Sequence, residues 1–176
     1  GIPVVDRRML QALEEEGFSS KEIQDESTYP RITFGDWVGG DRDGHPLVTA
    51  DITEDTLRQL RLNAMVVVRR CLTGLVKNLS FAIHRHETSE AFQARIAEMS
   101  RLLEDRADMA IERNKGEAFR QFVNLMLTRL PLDTARGHAT QLAEFHGAYF
   151  EKNELVEDLK LLKQELNRYG AASIAH

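Results

Sequence analysis

Between Arg31 and Thr49 the chain reads RITFGDWVGGDRDGHPLVT. How this stretch is read decides whether the protein is a self-contained helical bundle or part of something larger. Arg31-Ile32-Thr33-Phe34 has the β-branched and aromatic residues of a short strand, bounded by Pro30 and Gly35. A dense polar loop follows. Gly39, Gly40 and Gly44 permit positive φ and close backbone approach, so the loop can turn tightly and present successive amide N–H groups. Asp41 and Asp43 flank Arg42, and their short carboxylates can accept from the loop backbone while the guanidinium reaches outward. Two readings stand. The loop is a structural element whose charges pair with one another or with neighbouring helices. Alternatively it faces a ligand, because a loop between a strand and a capped helix sits where α/β barrels hold theirs. A calcium loop fails on register, since His45 and Pro46 occupy the next positions and no bidentate Glu follows.

Outward from the loop the pattern is helical. On its C-terminal side Asp51 or Thr53 can cap a long helix in which Leu57, Leu60, Ala64, Val67, Val68, Cys71, Leu75, Leu79 and Ile83 recur at three- and four-residue steps. That helix is expected to end near His84. A second starts at Thr88 or Ser89 with Phe92, Ile96, Met99, Leu102 and Leu103 on its inner stripe. A third runs from Glu117 to Leu130 through Phe119, Phe122, Val123, Met126 and Leu127, and Pro131 stops it. The segment from Asp133 to His146 reads as a connection containing at most a helical turn. The last helix spans Asn153 to Tyr169 on Leu155, Leu159, Leu162 and Leu166, with Gly170 as its stop. On the N-terminal side, Val5, Met9, Leu10 and Leu13 form a helix that ends at Gly17.

The expected fold is therefore mainly α, a helical bundle with one short strand. Residues 1–176 read as a single helical segment: an N-terminal helix and connection over 1–30, the strand and Gly/Asp/Arg loop over 31–49, and long helices over 50–176. One strand cannot satisfy its own backbone groups, and the chain closes in small and apolar residues after Gly170. Both features lead us to expect an excised part of a larger protein.

Composition narrows the function classes. The 176 residues carry a net charge of -5 and 42% hydrophobic residues, the profile of a folded, mildly acidic domain. No apolar run approaches the roughly 20 residues of a membrane span. The acidic balance argues against nucleic acid as the main partner, and Arg58, Arg61, Arg69 and Arg70 read as a solvated helix face. With Cys71 as the lone cysteine no internal disulfide forms, which fits a reducing, cytoplasmic compartment. His84 and His86, two positions apart, do not share a helix face and make a poor zinc pair even with Cys71. His138 and His146 read as surface or linker residues.

Phe34-Gly35-Asp36-Trp37-Val38-Gly39-Gly40-Asp41-Arg42-Asp43-Gly44-His45-Pro46, followed by Val48-Thr49, resembles the Phe-x-x-Trp-x-Gly-Gly-Asp-Arg-Asp-Gly-Asn-Pro-x-Val-Thr segment of the phosphoenolpyruvate carboxylase family. Glu117-Ala118-Phe119-Arg120 is similar to that family's Glu-x-Phe/Tyr-Arg helix start. Glu154-Leu155 through Gly170-Ala171-Ala172 is similar to its later Leu-rich helix. One position departs, because His45 stands where the family has Asn. The resemblance implies an α-rich enzyme built around a parallel barrel, which adds bicarbonate to phosphoenolpyruvate with Mg²⁺ or Mn²⁺ to give oxaloacetate and phosphate. It also implies a homotetramer that answers to metabolite effectors.

The family's catalytic His segment lies before this region, and its metal carboxylates, its Lys and its Arg-rich loops lie after it. The resemblance thus implies no catalytic residue and no bound metal in this segment, and the isolated segment is expected to be inactive. It leaves Gly39, Gly40, Asp41, Arg42, Asp43 and Gly44 as a substrate-side loop with Arg42 as its functional residue. The alternative is a non-catalytic helical scaffold or interaction module derived from that family. With an orphan strand edge and apolar helix faces, the isolated segment is expected to oligomerise or to remain a partly open monomer.

Overall fold

The computed structural model describes residues 2–17, 47–79, 88–135 and 138–170. The strand expected at Arg31–Phe34, the loop through Gly39–Pro46, and His84 and His86 lie outside the described residues. Six α-helices and one two-stranded sheet make up the described part, a mainly α architecture as expected. No helix among the described residues is long and apolar enough to cross a membrane.

Helix α1 spans Ile2–Glu15 and α2 spans Ala50–Asn78. The cap of α2 is Thr49 rather than Asp51 or Thr53. Thr49 holds extended backbone, and its hydroxyl accepts from the Ile52 N–H at 3.4 Å; Asp51 instead lies in the first turn, where a carboxylate complements the helix dipole. The helix also closes before His84, with Leu79 donating its N–H to the Leu75 carbonyl at 2.9 Å. Apolar periodicity runs on through Leu79 and Ile83, but no Gly or Pro stands there to mark the end in sequence.

The expected stripe of α2 is only half used. Leu72 is buried and Met65, Val68, Leu75 and Val76 pack on the core, whereas Leu57, Leu60 and Val67 are exposed. Helix α3, Glu90–Leu103, starts at Ser89, whose hydroxyl accepts from the Phe92 N–H at 3.3 Å. Its Phe92, Ile96, Met99 and Leu103 are all buried, as the spacing requires. A 3-10 turn, Glu104–Arg106, and the short α4, Asp108–Glu112, follow.

Helix α5, Ala118–Arg129, is the centre of the bundle and packs against α2, α3, α4 and the last helix, α6, Lys152–Arg168. Phe92 and Phe122 stack with centroids 4.4 Å apart, and Phe92 tilts against Phe119 at 5.2 Å. Such ring pairs add about 0.5–1.5 kcal/mol beyond their burial.

The segment after Pro131 overturns the reading of a plain connection. Strands β1, Leu132–Ala135, and β2, His138–Leu142, pair antiparallel, with Leu132 opposite Leu142 and a register irregularity between Asp133 and Thr134. Each strand is too short for alternation to show, so pairing across Arg136-Gly137 fixes them rather than local pattern. Beyond β2 the chain returns to the bundle at Gly147. A Cβ there would stand 2.6 Å from the Leu102 carbonyl oxygen, and φ is +84°, so only glycine fits.

Candidate functional site

Two polar centres are built by the described residues. The first is enclosed by α3, α5 and α6. Asp158 occupies the apolar stripe of α6 one turn before Leu162, and it is 2% exposed. A bare carboxylate there would cost several kcal/mol, but this one is saturated. Arg95 of α3 donates from Nε to Oδ1 at 2.6 Å and from Nη2 to Oδ2 at 3.1 Å. Arg129 of α5 donates from Nη1 at 3.1 Å, and the Tyr149 hydroxyl donates at 2.7 Å.

Arg129 is equally committed. Its Nε donates to the Gly147 carbonyl at 2.9 Å, its Nη2 to Glu154 at 2.6 Å, and its guanidinium lies 4.1 Å from the Tyr149 ring centroid. Burial first, then the charge and hydrogen bond of Asp158, push the Tyr149 hydroxyl far above the ordinary phenol range, against the opposing pull of Arg129 and Arg95. Tyr149 is therefore a fixed donor at neutral pH. Apart from one Arg95 bond to the exposed Glu98 at 2.8 Å, the groups of this centre bind one another, so its chemistry is to lock three helices and the β2–α6 connection together.

A smaller version closes the other end of α6. Glu165 is buried and accepts from the Ser89 N–H at 2.8 Å and the Ser89 hydroxyl at 2.7 Å, with Arg168 donating at 2.9 Å. Burial pushes its carboxyl up, but the Ser89 bonds and Arg168 outweigh that and hold it below the ordinary carboxylate range. Sequence reading missed Arg95, Arg129, Asp158 and Glu165. The available signal was their position on otherwise apolar stripes.

The second centre is a cavity of about 590 Å³ between α2, the α4 region, α5 and the hairpin. Arg69, Arg106, Arg113 and Arg120 line it, and among the described residues no carboxylate does. Arg69 is thus half-buried toward the cavity rather than on the solvated face expected for it, which Arg58, Arg61 and Arg70 do occupy. Arg120 is held at the start of α5 by Glu117 at 2.8 Å, the arrangement of the Glu-x-Phe-Arg motif in space. Among the described residues no group of three His, Cys, Asp or Glu side chains could hold a metal ion. Cys71 and His146 are exposed. The sequence-derived site, Gly39, Gly40, Asp41, Arg42, Asp43 and Gly44, lies outside the described residues.

Comparison with known proteins agrees with the motif. A family model described as phosphoenolpyruvate carboxylase matches residues 1–176. The phosphoenolpyruvate carboxylase of Methylorubrum extorquens is 34% identical over 161 residues, covering 90% of this chain and 17% of its own length. That of Roseiflexus castenholzii is 29% identical over 153 residues, 84% of this chain and 16% of its own. Phosphoenolpyruvate carboxylase 1 of Chlamydomonas reinhardtii is 32% identical over 197 residues, 99% of this chain and 19% of its own. The chain thus spans under a fifth of the length of these relatives. No solved structure matches it.

Proposed function

The chain belongs to the phosphoenolpyruvate carboxylase family, and from that premise we propose that it is a helical segment of an enzyme that adds bicarbonate to phosphoenolpyruvate, forming oxaloacetate and phosphate. The observation that carries the proposal is the family match over residues 1–176, with the Gly39–Gly44 run intact in the sequence. In this reading the segment supports the site without performing the chemistry. The bundle of α2, α3, α5 and α6, locked by Arg129 and Asp158, gives a rigid base to the chain entering at Thr49. Arg42, flanked by Asp41 and Asp43, is the residue we assign to the anionic substrate side of the loop, where a guanidinium can grip phosphate or carboxylate through two parallel bonds.

The divalent ion of the reaction, Mg²⁺ or Mn²⁺, belongs in this proposal to the rest of the enzyme, where the family resemblance puts the metal carboxylates. The parent is proposed to be a cytoplasmic homo-oligomer acting on phosphoenolpyruvate and bicarbonate, with no nucleic-acid or membrane partner. The segment alone is proposed to be inactive.

A second reading, a scaffold or interaction module that has lost the chemistry, is favoured by one residue: His45 stands at the family's Asn. A coupled assay for oxaloacetate, run with phosphoenolpyruvate, bicarbonate and Mg²⁺ on the full gene product and on the 176-residue chain, separates the two. Activity in the full product alone supports the carboxylase. Inactivity of both supports the scaffold, and restoration by His45→Asn would identify the residue responsible.

A further inference from the structure

We propose that the outward face of α2 is a helix-docking surface, and that its occupant is an amphipathic, acid-flanked helix from the parent chain outside residues 1–176. Leu57, Leu60, Ala64, Val67, Cys71 and Gly74 follow one another at alternating steps of three and four, and all are exposed. Leu57, Leu60 and Val67 keep 61%, 45% and 57% of their surface in solvent. Alternating three-four spacing is what two helices need to interlock side chains along a shared seam. The run extends over about 25 Å of helix, at 1.5 Å per residue.

Two further observations separate this face from scattered surface hydrophobics. The first is that α2 already has one such seam. Met65, Val68, Leu72, Leu75 and Leu79 repeat with the same spacing and belong to the core. The outward run is a second stripe, turned about 100° round the same helix. A helix that is apolar on two faces belongs between two partners, and the described residues cover only one face. The second observation is Gly74, which sits inside the helix, where only proline is less favourable. A Cβ there would meet nothing within 4 Å, so no neighbour among the described residues requires a glycine. A helix lying close against Ala64 and Gly74 would.

Charge selects the occupant. Arg61 and Arg70 flank the seam, exposed and in no ion pair among the described residues. Glu54, beside the start of the seam, is engaged by Arg58 at 2.9 Å. A second copy of α2 would bring the same basic flanks together, which is unfavourable. A helix with Asp or Glu beside its apolar stripe complements them. The source of that helix follows from length. This chain covers under a fifth of its relatives, so in the longer protein proposed above most of the sequence lies elsewhere. The inference rests on that reading of a longer protein and not on carboxylation.

The test uses the full gene product, whose intact mass is read first. Leu60→p-benzoylphenylalanine and Val67→p-benzoylphenylalanine place a photo-cross-linker on the seam. Lys160→p-benzoylphenylalanine places one on the exposed face of α6 as background. Iodoacetamide labelling of the unsubstituted protein reports on Cys71 by peptide mass, and circular dichroism confirms that each variant is folded. We expect links within one chain from both seam positions to an acidic helix outside residues 1–176, and none of these from Lys160. Alkylation of Cys71 should be slowed at least about tenfold relative to the urea-unfolded protein. Arg61→Glu combined with Arg70→Glu should speed it. Links to a second copy, seen as a doubled mass, or to residues within 1–176 overturn the occupant. Absent links, the same links from Lys160, or Cys71 alkylated at the unfolded rate overturn the docking surface, and an unchanged rate in the double Glu variant overturns the acidic flank. A gene product no longer than this chain overturns the reading on which the inference rests, whereas the other failures in a longer product overturn the docking alone.

Discussion

Arg129 and Asp158 meet at 3.1 Å with their side chains 3% and 2% exposed, joining two helices whose contact residues lie 29 positions apart. Two charges so far from water are worth keeping only if the remaining lone pairs and N–H groups are satisfied, and here Arg95, Tyr149, Glu154 and the Gly147 carbonyl do so. Removing either charge leaves the other buried and short of a partner, because Arg129 keeps only Glu154 and the Gly147 carbonyl and Asp158 only Arg95 and Tyr149. Asp158→Ala is expected to destabilise the chain by about 3–5 kcal/mol, and Arg129→Met by a similar amount. The double variant should cost clearly less than the sum, because the second deletion removes a charge that has already lost its partner across the helix pair. Equilibrium denaturant unfolding of the four proteins measures this. Additive losses would show that the two residues act independently and would remove the argument for a lock.

Gly147 has the second fixed role, since its carbonyl accepts from Arg129 while its own α-carbon faces the end of α3. Gly147→Ala combines a positive φ, about 1–3 kcal/mol for a residue other than glycine, with a Cβ 2.6 Å from the Leu102 oxygen. Gly116 provides the comparison: its φ is +81°, but nothing lies within 4 Å of a Cβ built there. Gly147→Ala should therefore cost more than Gly116→Ala by thermal unfolding. Equal costs would mean that the close approach to Leu102 relaxes freely.

Tyr149 connects the lock to pH. Its folded-state pKa is raised, first by burial and then by Asp158, so it keeps its proton where the unfolded chain's tyrosine, near pH 10, loses it. A raised pKa gives stability that is fully present below the unfolded value and declines as pH rises above it. Unfolding free energy should thus fall as pH rises beyond about 10. Tyr149→Phe should flatten that decline and remove about 2 kcal/mol at neutral pH, the worth of a hydrogen bond to a charged group. A decline of unchanged slope in the variant would assign the alkaline sensitivity elsewhere.

The helices of the core were readable because their signals are local. Phe92, Ile96, Met99 and Leu103 repeat at helical steps after Ser89, and Phe119, Phe122, Val123 and Met126 do so before Pro131. Periodicity reports that a helix is amphipathic but not what covers it, which is why Leu57 and Leu60 joined the expected stripe yet stand exposed. The hairpin of Leu132–Ala135 and His138–Leu142 was unreadable because its stability comes from cross-strand pairing. Asp158 and Arg129 interrupt apolar stripes, a sign visible in sequence whose meaning depends on the partner helix. The cavity arginines come from several separated elements, so no single window holds them. The loop motif carried the family through residue order alone.

Ser89 and Glu165 form the last testable contact. The Ser89 hydroxyl caps α3 by accepting from Phe92 while donating to Glu165, and its N–H reaches the same carboxylate. These bonds and Arg168 outweigh burial and depress the carboxyl's pKa. A depressed pKa gives stability that is present above the unfolded value, about 4.3, and is lost as pH falls through the folded one. Glu165→Gln should therefore weaken the acid-side dependence of stability below about pH 4.3. Ser89→Ala should reduce that dependence as well and additionally cost about 1 kcal/mol at neutral pH through the lost cap. Urea unfolding at stepped pH from 7 down to about 3 reads both effects, bracketing the ordinary glutamate value. An acid limb that is identical in wild type and Glu165→Gln would show that the carboxylate does not drive acid unfolding, and Ser89 would then be a helix cap alone.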